Sequence, residues 1–137
     1  MELADSSAWQ KRHLSPDVDA DFVALVEGDQ IATCDMVRLE LLLSARDERE
    51  FASRRSDLAN LPDCPIAKRQ WLRALDVFEE LSRRGPLHHR RVKIPDLLIA
   101  AAAESAGVPV LHYDRVFELI GEITSQPMRA IAPLGSL

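Results

Sequence analysis

The sequence predicts an α/β protein: a three-layer α/β/α sandwich built around a parallel sheet of short strands. Three observations carry this. Short apolar runs at Met1–Ala4, Ile31–Cys34, Val108–Tyr113 and Met128–Ile131 alternate with segments of helical spacing. One stretch spells out a complete helix-then-strand unit, because Pro95 stands where a helix takes its first residue and Gly107 closes it. Strands separated by helices pair in parallel and need helices on both faces of the sheet. With 137 residues, 47 % apolar and 28 % charged, the chain has the size and composition of one folded domain, residues 1–137.

The elements follow in order. After the first strand a helix is expected over Ser7–Leu14, stopped by Ser15-Pro16. Phe22, Val23, Leu25 and Val26 give Asp17–Glu27 helical spacing, and Gly28 ends it. Ile31–Cys34 reads as a strand, Asp35–Arg46 as a helix, and Asp47–Ala59 as a more polar helix. The break Leu61-Pro62-Asp63-Cys64-Pro65-Ile66 has room for a minor strand. Lys68–Arg84 is a long amphipathic helix with Trp71, Leu72, Leu75, Val77, Phe78 and Leu81 as its apolar residues, Trp71 among the packing ones. Gly85-Pro86 ends it, and a basic loop leads to Pro95. Beyond the strand at Val108–Tyr113 a helix is expected over Arg115–Gly121.

Composition excludes several classes. The longest mainly apolar run, Leu97–Ala103, is far short of the roughly 20 residues that cross a bilayer, so no membrane association is expected. Met1-Glu2-Leu3-Ala4-Asp5 has no basic or apolar leader pattern. Cys34 and Cys64 fit neither a disulfide framework nor a zinc motif and are expected to be reduced, in a cytoplasmic protein. A net charge of −5 argues against a nucleic-acid partner, yet its distribution does not. Between Ser82 and Pro95 there is no acidic residue, while Arg83, Arg84, Arg90, Arg91 and Lys93 are basic. Such a run reads either as a solvated face or as a strip that holds phosphates.

Four carboxylates stand out. Asp5 follows the first strand and Asp114 follows the strand at Val108–Tyr113, and ligands of parallel sheets bind beyond the carboxyl ends of the strands. Glu40 shares a helical face with Met36, Val37, Leu43 and Ser44, and Asp96 shares one with Ile99 and Ala100. Each alone has a plain structural explanation: a turn residue at Asp5, a cap at Asp96 or Asp114, a buried ion pair at Glu40. Together they suggest one cluster. Two carboxylates about 4 Å apart repel by roughly 4 kcal/mol at an effective dielectric of about 20, and a hard divalent cation relieves that repulsion. Oxygen ligands favour Mg²⁺ or Mn²⁺ over Zn²⁺, and phosphodiester hydrolysis is the natural chemistry.

At this level the sequence resembles the PIN-domain family, in particular its VapC toxins. The likeness rests on Asp5-Ser6-Ser7-Ala8-Trp9, on Glu40 in a helix after a short strand, on Lys93-Ile94-Pro95-Asp96-Leu97-Leu98-Ile99-Ala100-Ala101, and on Leu111-His112-Tyr113-Asp114-Arg115. The resemblance implies an endoribonuclease toxin of a toxin–antitoxin pair, acting on tRNA or ribosomal RNA. In such proteins the residues matching Asp5, Glu40, Asp96 and Asp114 hold Mg²⁺ or Mn²⁺ and carry the cleavage, and the residue matching Ser7 orients the first carboxylate. It further implies a homodimer and inhibition by a VapB-like antitoxin. Many relatives carry a second acid two positions after the residue matching Asp114; here that position is Val116, which predicts one firmly bound cation and a second bound weakly or only with RNA. Arg90, Arg91 and Lys93 are the expected contacts to RNA phosphates. Trp9 reads as a core or dimer-interface residue, with stacking on a base as the alternative, and His112 as a core histidine.

Two other readings come from different classes. A dehalogenase-type phosphatase needs an Asp two positions after its nucleophile, where this chain has Ser7 after Asp5. Neither a receiver-domain pattern nor a Gly-x4-Gly-Lys loop is present. The remaining alternative is a catalytically weakened module of the same fold that binds RNA or protein; cleavage that stops on removal of metal separates the two.

Overall fold

The structure, a computed structural model, describes residues 1–85 and 87–137. Strands β1 (Glu2–Ala4), β2 (Ile31–Ala32), β3 (Val110–His112) and β4 (Met128–Ala130) form a sheet in the order β2-β1-β3-β4, with every pairing parallel. The helices are α1 (Ser6–Lys11), α2 (Pro16–Glu27), α3 (Asp35–Leu43), α4 (Glu48–Ala59), α5 (Lys68–Arg84), α6 (Ile94–Ala106) and α7 (Val116–Thr124).

Side chains on a strand alternate between faces, and here both faces are covered. Leu3, Ala32 and Val110 point to one side and join a core with residues of α3, α5, α6 and α7. Ala4, Ile31 and Leu111 point to the other and meet Ala8 of α1 and Phe22 of α2. That double burial is why Leu3-Ala4, Ile31-Ala32 and Val110-Leu111 are apolar at consecutive positions. The three-layer expectation holds.

Several boundaries moved, for local reasons. The first helix is α-helical only to Lys11 and tightens into a 3₁₀ turn over Arg12–Leu14 before Ser15 caps α2. β2 stops at Ala32 because Cys34 already caps α3. The break at 61–66 supplies a bridge from Asp63 to Thr33 rather than a strand. α3 ends at Leu43, three residues early, and Asp47 caps α4 by accepting from the Glu50 amide at 2.8 Å. The basic loop holds a 3₁₀ turn over His88–Arg91. The expected stop at Gly85-Pro86 falls partly outside the described residues at Pro86; α5 itself ends at Arg84. Gly107 closes α6 with φ of 70°, the left-handed conformation its lack of a Cβ permits.

One packing assignment is overturned. Trp71, Leu72 and Leu75 were expected on the buried stripe of α5, but they are 47 %, 50 % and 63 % exposed. The buried stripe is Gln70, Ala74, Val77 and Leu81. It is set by α6, to which α5 is tied by Gln70 Nε2 to Ser105 Oγ at 3.0 Å and by the Arg73–Glu104 pair at 2.7 Å. Cys34 and Cys64 are both free and buried, and burial pushes the Cys34 thiol up to about 11, so it is an unreactive packing residue. Among the described residues, no helix is long and apolar enough to cross a membrane.

The chain order places a site. From β1 it runs to β2 on one side and then crosses to β3 on the other. Connections that leave a strand in opposite directions open a crevice at the carboxyl ends of the neighbouring strands. Here those are the ends of β1 and β3.

Candidate active site

Asp5, Glu40, Asp96 and Asp114 all line one cavity of about 390 Å³ at that edge. They arrive from four elements: the end of β1, the middle of α3, the first turn of α6, and the turn after β3. Between 35 and 109 residues of sequence separate Asp5 from the others, so only the sheet order unites them.

Asp5 caps α1. Its Oδ2 accepts from the Ser7 amide at 3.0 Å and from the Ser7 hydroxyl at 2.6 Å. The same hydroxyl accepts from the Tyr113 amide at 2.9 Å. One small side chain therefore links the first carboxylate to the turn after β3. That turn has two further ties. The Asp114 amide donates to His112 Nδ1 at 3.1 Å, and Asp114 Oδ1 accepts from the Val116 amide at 3.0 Å in an Asx turn that starts α7. His112 is 1 % exposed and stacks obliquely on Phe117 with ring centroids 5.2 Å apart. Burial lowers its pKa, so the ring is neutral with Nδ1 as acceptor. It is a core histidine, as expected, and it also steadies the backbone of Asp114.

The electrostatics show what the cavity lacks. Asp5 Oδ1, Glu40 Oε1 and Asp96 Oδ2 are buried and accept no hydrogen bond among the described residues. Burial is the largest cause raising the pKa of Asp5, and Asp114 adds to it, while the Ser7 hydroxyl and amide oppose it. Glu40 is raised by burial and then by Asp5, against Ser6 and Lys93. Asp96 is raised to about 7, by burial first and then by Asp5, Asp114 and Glu40, with Lys93 opposing. Glu40 forms no ion pair with an arginine among the described residues, so that structural explanation fails. Its face is the cavity rim rather than core, since the neighbouring Leu43 is 87 % exposed. Buried carboxylate oxygens without donors, each disfavoured in its charged form, are the donor set that suits a hard divalent cation. The residues therefore fit one, although among the described residues the side chains do not close by themselves into a finished ligand cluster.

Of the basic strip, Lys93 lines this cavity and faces Asp96 and Glu40. Arg90 and Arg91 are exposed outside it, Arg91 in a shallow groove with Arg115 and Val116. Arg83 and Arg84 are engaged on α5 with Glu79 and Glu80. Val116 faces away from the carboxylates and spends its amide on Asp114. Sequence reasoning missed Gln10, Lys11 and Tyr113, which line the cavity too. Helical spacing offered a signal for the first two, because Gln10 and Lys11 lie three and four positions beyond Ser7 on α1. Trp9 is not among the lining residues. Its ring meets Phe22 edge-on at 4.8 Å and carries Arg12 at 5.5 Å, consistent with packing. A larger groove of about 690 Å³ lies beside it, lined in part by Leu41, Arg54 and Leu58. Among the described residues none of the four carboxylates lines that groove, so the larger groove and the carboxylate cluster are different places.

Comparison with known proteins agrees with this architecture. The PIN domain sequence profile matches residues 3–123. Ribonuclease VapC18 of Mycobacterium tuberculosis is 41 % identical over 133 residues, covering 97 % of this chain and 96 % of its own. Ribonuclease VapC21 of the same species is 40 % identical over 137 residues, covering 98 % and 96 %. Among solved structures, the VapBC-5 toxin–antitoxin complex of M. tuberculosis superposes with a TM-score of 0.62 at 25 % identity, over 94 % of this chain and 97 % of that one. DNA-bound VapBC of Salmonella typhimurium gives 0.71 at 19 % identity, over 96 % and 100 %, a likeness of fold. The chain belongs to the PIN-domain family and, within it, to the VapC-type ribonucleases.

Proposed function

We propose that this chain, acting as one domain over its whole length, is a metal-dependent endoribonuclease, the toxin of a VapBC-type pair held in check by a VapB-like antitoxin. The observation that carries the reading is the meeting of Asp5, Glu40, Asp96 and Asp114 in one cavity with three of their oxygens buried and unpartnered. The relatives named as VapC ribonucleases, similar over nearly the full length of both chains, support it.

In this reading Asp5, Asp96 and Asp114 hold Mg²⁺ or Mn²⁺, and Glu40 completes the set. When bound, such an ion offsets their mutual repulsion and supplies Lewis-acid activation of water and of the phosphodiester. The protein's own groups do the rest. Ser7 fixes the Asp5 carboxylate so that Oδ1 faces the cavity. The Asx turn engages Oδ1 of Asp114 and leaves its Oδ2 for the ion. Glu40, with a raised pKa and a free Oε1, takes the proton of the attacking water. Lys93 neutralises the scissile phosphate, while Arg90 and Arg91 hold phosphates further along the RNA. With Val116 turned away, one ion binds firmly and a second weakly or only with RNA. A homodimer and a cytoplasmic site of action belong to the same reading; Trp71, Leu72 and Leu75 give a second copy an apolar surface to cover.

Expression in bacteria with and without Asp96→Asn tests the proposal. Growth arrest with discrete RNA cuts bearing 5′-phosphates, both abolished by the substitution and by EDTA in vitro, is the expected result. Cleavage that persists in EDTA would overturn it.

A further inference from the structure

The carboxylate cavity accounts for the chemistry of cleavage, but not for what holds the RNA bases beside it. Tyr113 is the chain's single tyrosine and, among the described residues, the one aromatic side chain lining that cavity. It sits immediately before Asp114, half-buried, and belongs to neither hydrophobic core cluster. Core packing therefore does not explain it.

The residue is nevertheless held at both ends. Its amide donates to Ser7 Oγ at 2.9 Å, the same hydroxyl that orients Asp5. Its phenol oxygen accepts from the Leu137 amide at 2.8 Å and donates to the Pro133 carbonyl at 3.4 Å. A ring hinged at its backbone and tethered at its hydroxyl cannot swing freely. Its rotamer entropy is already lost before any ligand arrives, which is the condition under which a stacking contact yields most affinity. Lys11 and Lys93 line the same cavity, so a phosphate and an adjoining base could be held together.

We propose that Tyr113 is a substrate-contacting residue: its tethered ring is the platform on which a base next to the scissile phosphate stacks. Single-stranded RNA is characteristically read by stacking splayed bases on aromatic rings, a contact that alanine substitution removes. Because any base has a π-face, this contact selects an unpaired nucleotide at the cut rather than a particular sequence. The inference rests on the ribonuclease reading.

The test is a double-mutant cycle between protein and RNA. An oligoribonucleotide that the wild type cuts is compared with versions carrying an abasic residue at each position flanking the cut, using wild type, Tyr113→Ala and Tyr113→Phe. For the wild type, one abasic position should lower kcat/KM by 10-fold or more. Tyr113→Ala should show a similar loss on intact RNA and almost no further loss on that abasic RNA. Tyr113→Phe, which keeps the ring, should retain most of the coupling. RNA affinity by fluorescence anisotropy in EDTA should follow the same pattern without relying on turnover. Losses that simply add, or Ala and Phe variants impaired alike on intact and abasic RNA, would make Tyr113 only an anchor for residues 133–137 and overturn the proposal while leaving the nuclease reading intact. A wild type that cuts no RNA would overturn both.

Discussion

Replacing Asp96 by Asn should make the metal-free protein more stable, and by an amount that depends on pH. In the fold this carboxyl is 5 % exposed, faces three other acids, and holds its proton up to about pH 7 rather than the ordinary 3.8. Between those values the native state binds more protons than the unfolded chain, so stability falls as pH rises and levels off above about 7. At about 1.4 kcal/mol per tenfold change in the protonation equilibrium, the whole penalty is on the order of 4 kcal/mol. The first turn of α6 returns about 0.3–1 kcal/mol of it through the helix dipole. Most of the change lies between pH 5 and 8, where the wild type should lose roughly 2–3 kcal/mol that the Asn variant keeps. For a domain of this size that corresponds to roughly 6–9 °C in Tm. Thermal melts of both proteins in EDTA at pH 5, 6, 7 and 8 read this directly. Saturating Mn²⁺ should close most of this gap, since an ion at a hundred times its Kd adds about 2.7 kcal/mol to a protein that binds it. Parallel Tm curves at every pH, or an Asn variant uniformly less stable by the 0.5–2 kcal/mol of a lost cap, would refute the reasoning.

Other expectations follow from single contacts. Ser7→Ala removes the 2.6 Å donor to Asp5 and the acceptor of the Tyr113 amide, so it should cost about 1–3 kcal/mol in urea unfolding and weaken Mn²⁺ binding, whereas Ser7→Thr should restore much of both. Calorimetric titration of the RNA-free protein should find one firm Mn²⁺ site, because position 116 offers no carboxylate to the cavity; two equally tight sites in the wild type would refute this. Lys93→Ala should weaken RNA binding and reduce the slope of log affinity against log salt by about 0.7, the value for one phosphate contact on a single strand. An unchanged slope would remove Lys93 from the phosphate path.

Local physics made most elements readable. The Pro95–Gly107 helix and the strand after it stood out because proline, a left-handed glycine and an apolar run act through the backbone of their own neighbourhood. The four acids were legible because an acid after a strand end, or among apolar neighbours on a helix, is costly without a reason. What the sequence alone determined was the alternation of strands and helices, the parallel sheet and the identity of those acids. Tertiary structure decided what distant partners control. α6 chose which stripe of α5 is buried and left Trp71 outside. The crossover from β2 to β3 brought Tyr113 to the same cavity as Asp5. The Asx turn at Asp114 turned Val116 away. Hydrogen bonds within a turn depend on a few adjacent residues, whereas burial and electrostatic fields sum over every group that folding brings near, and one sequence read along its length does not contain that sum.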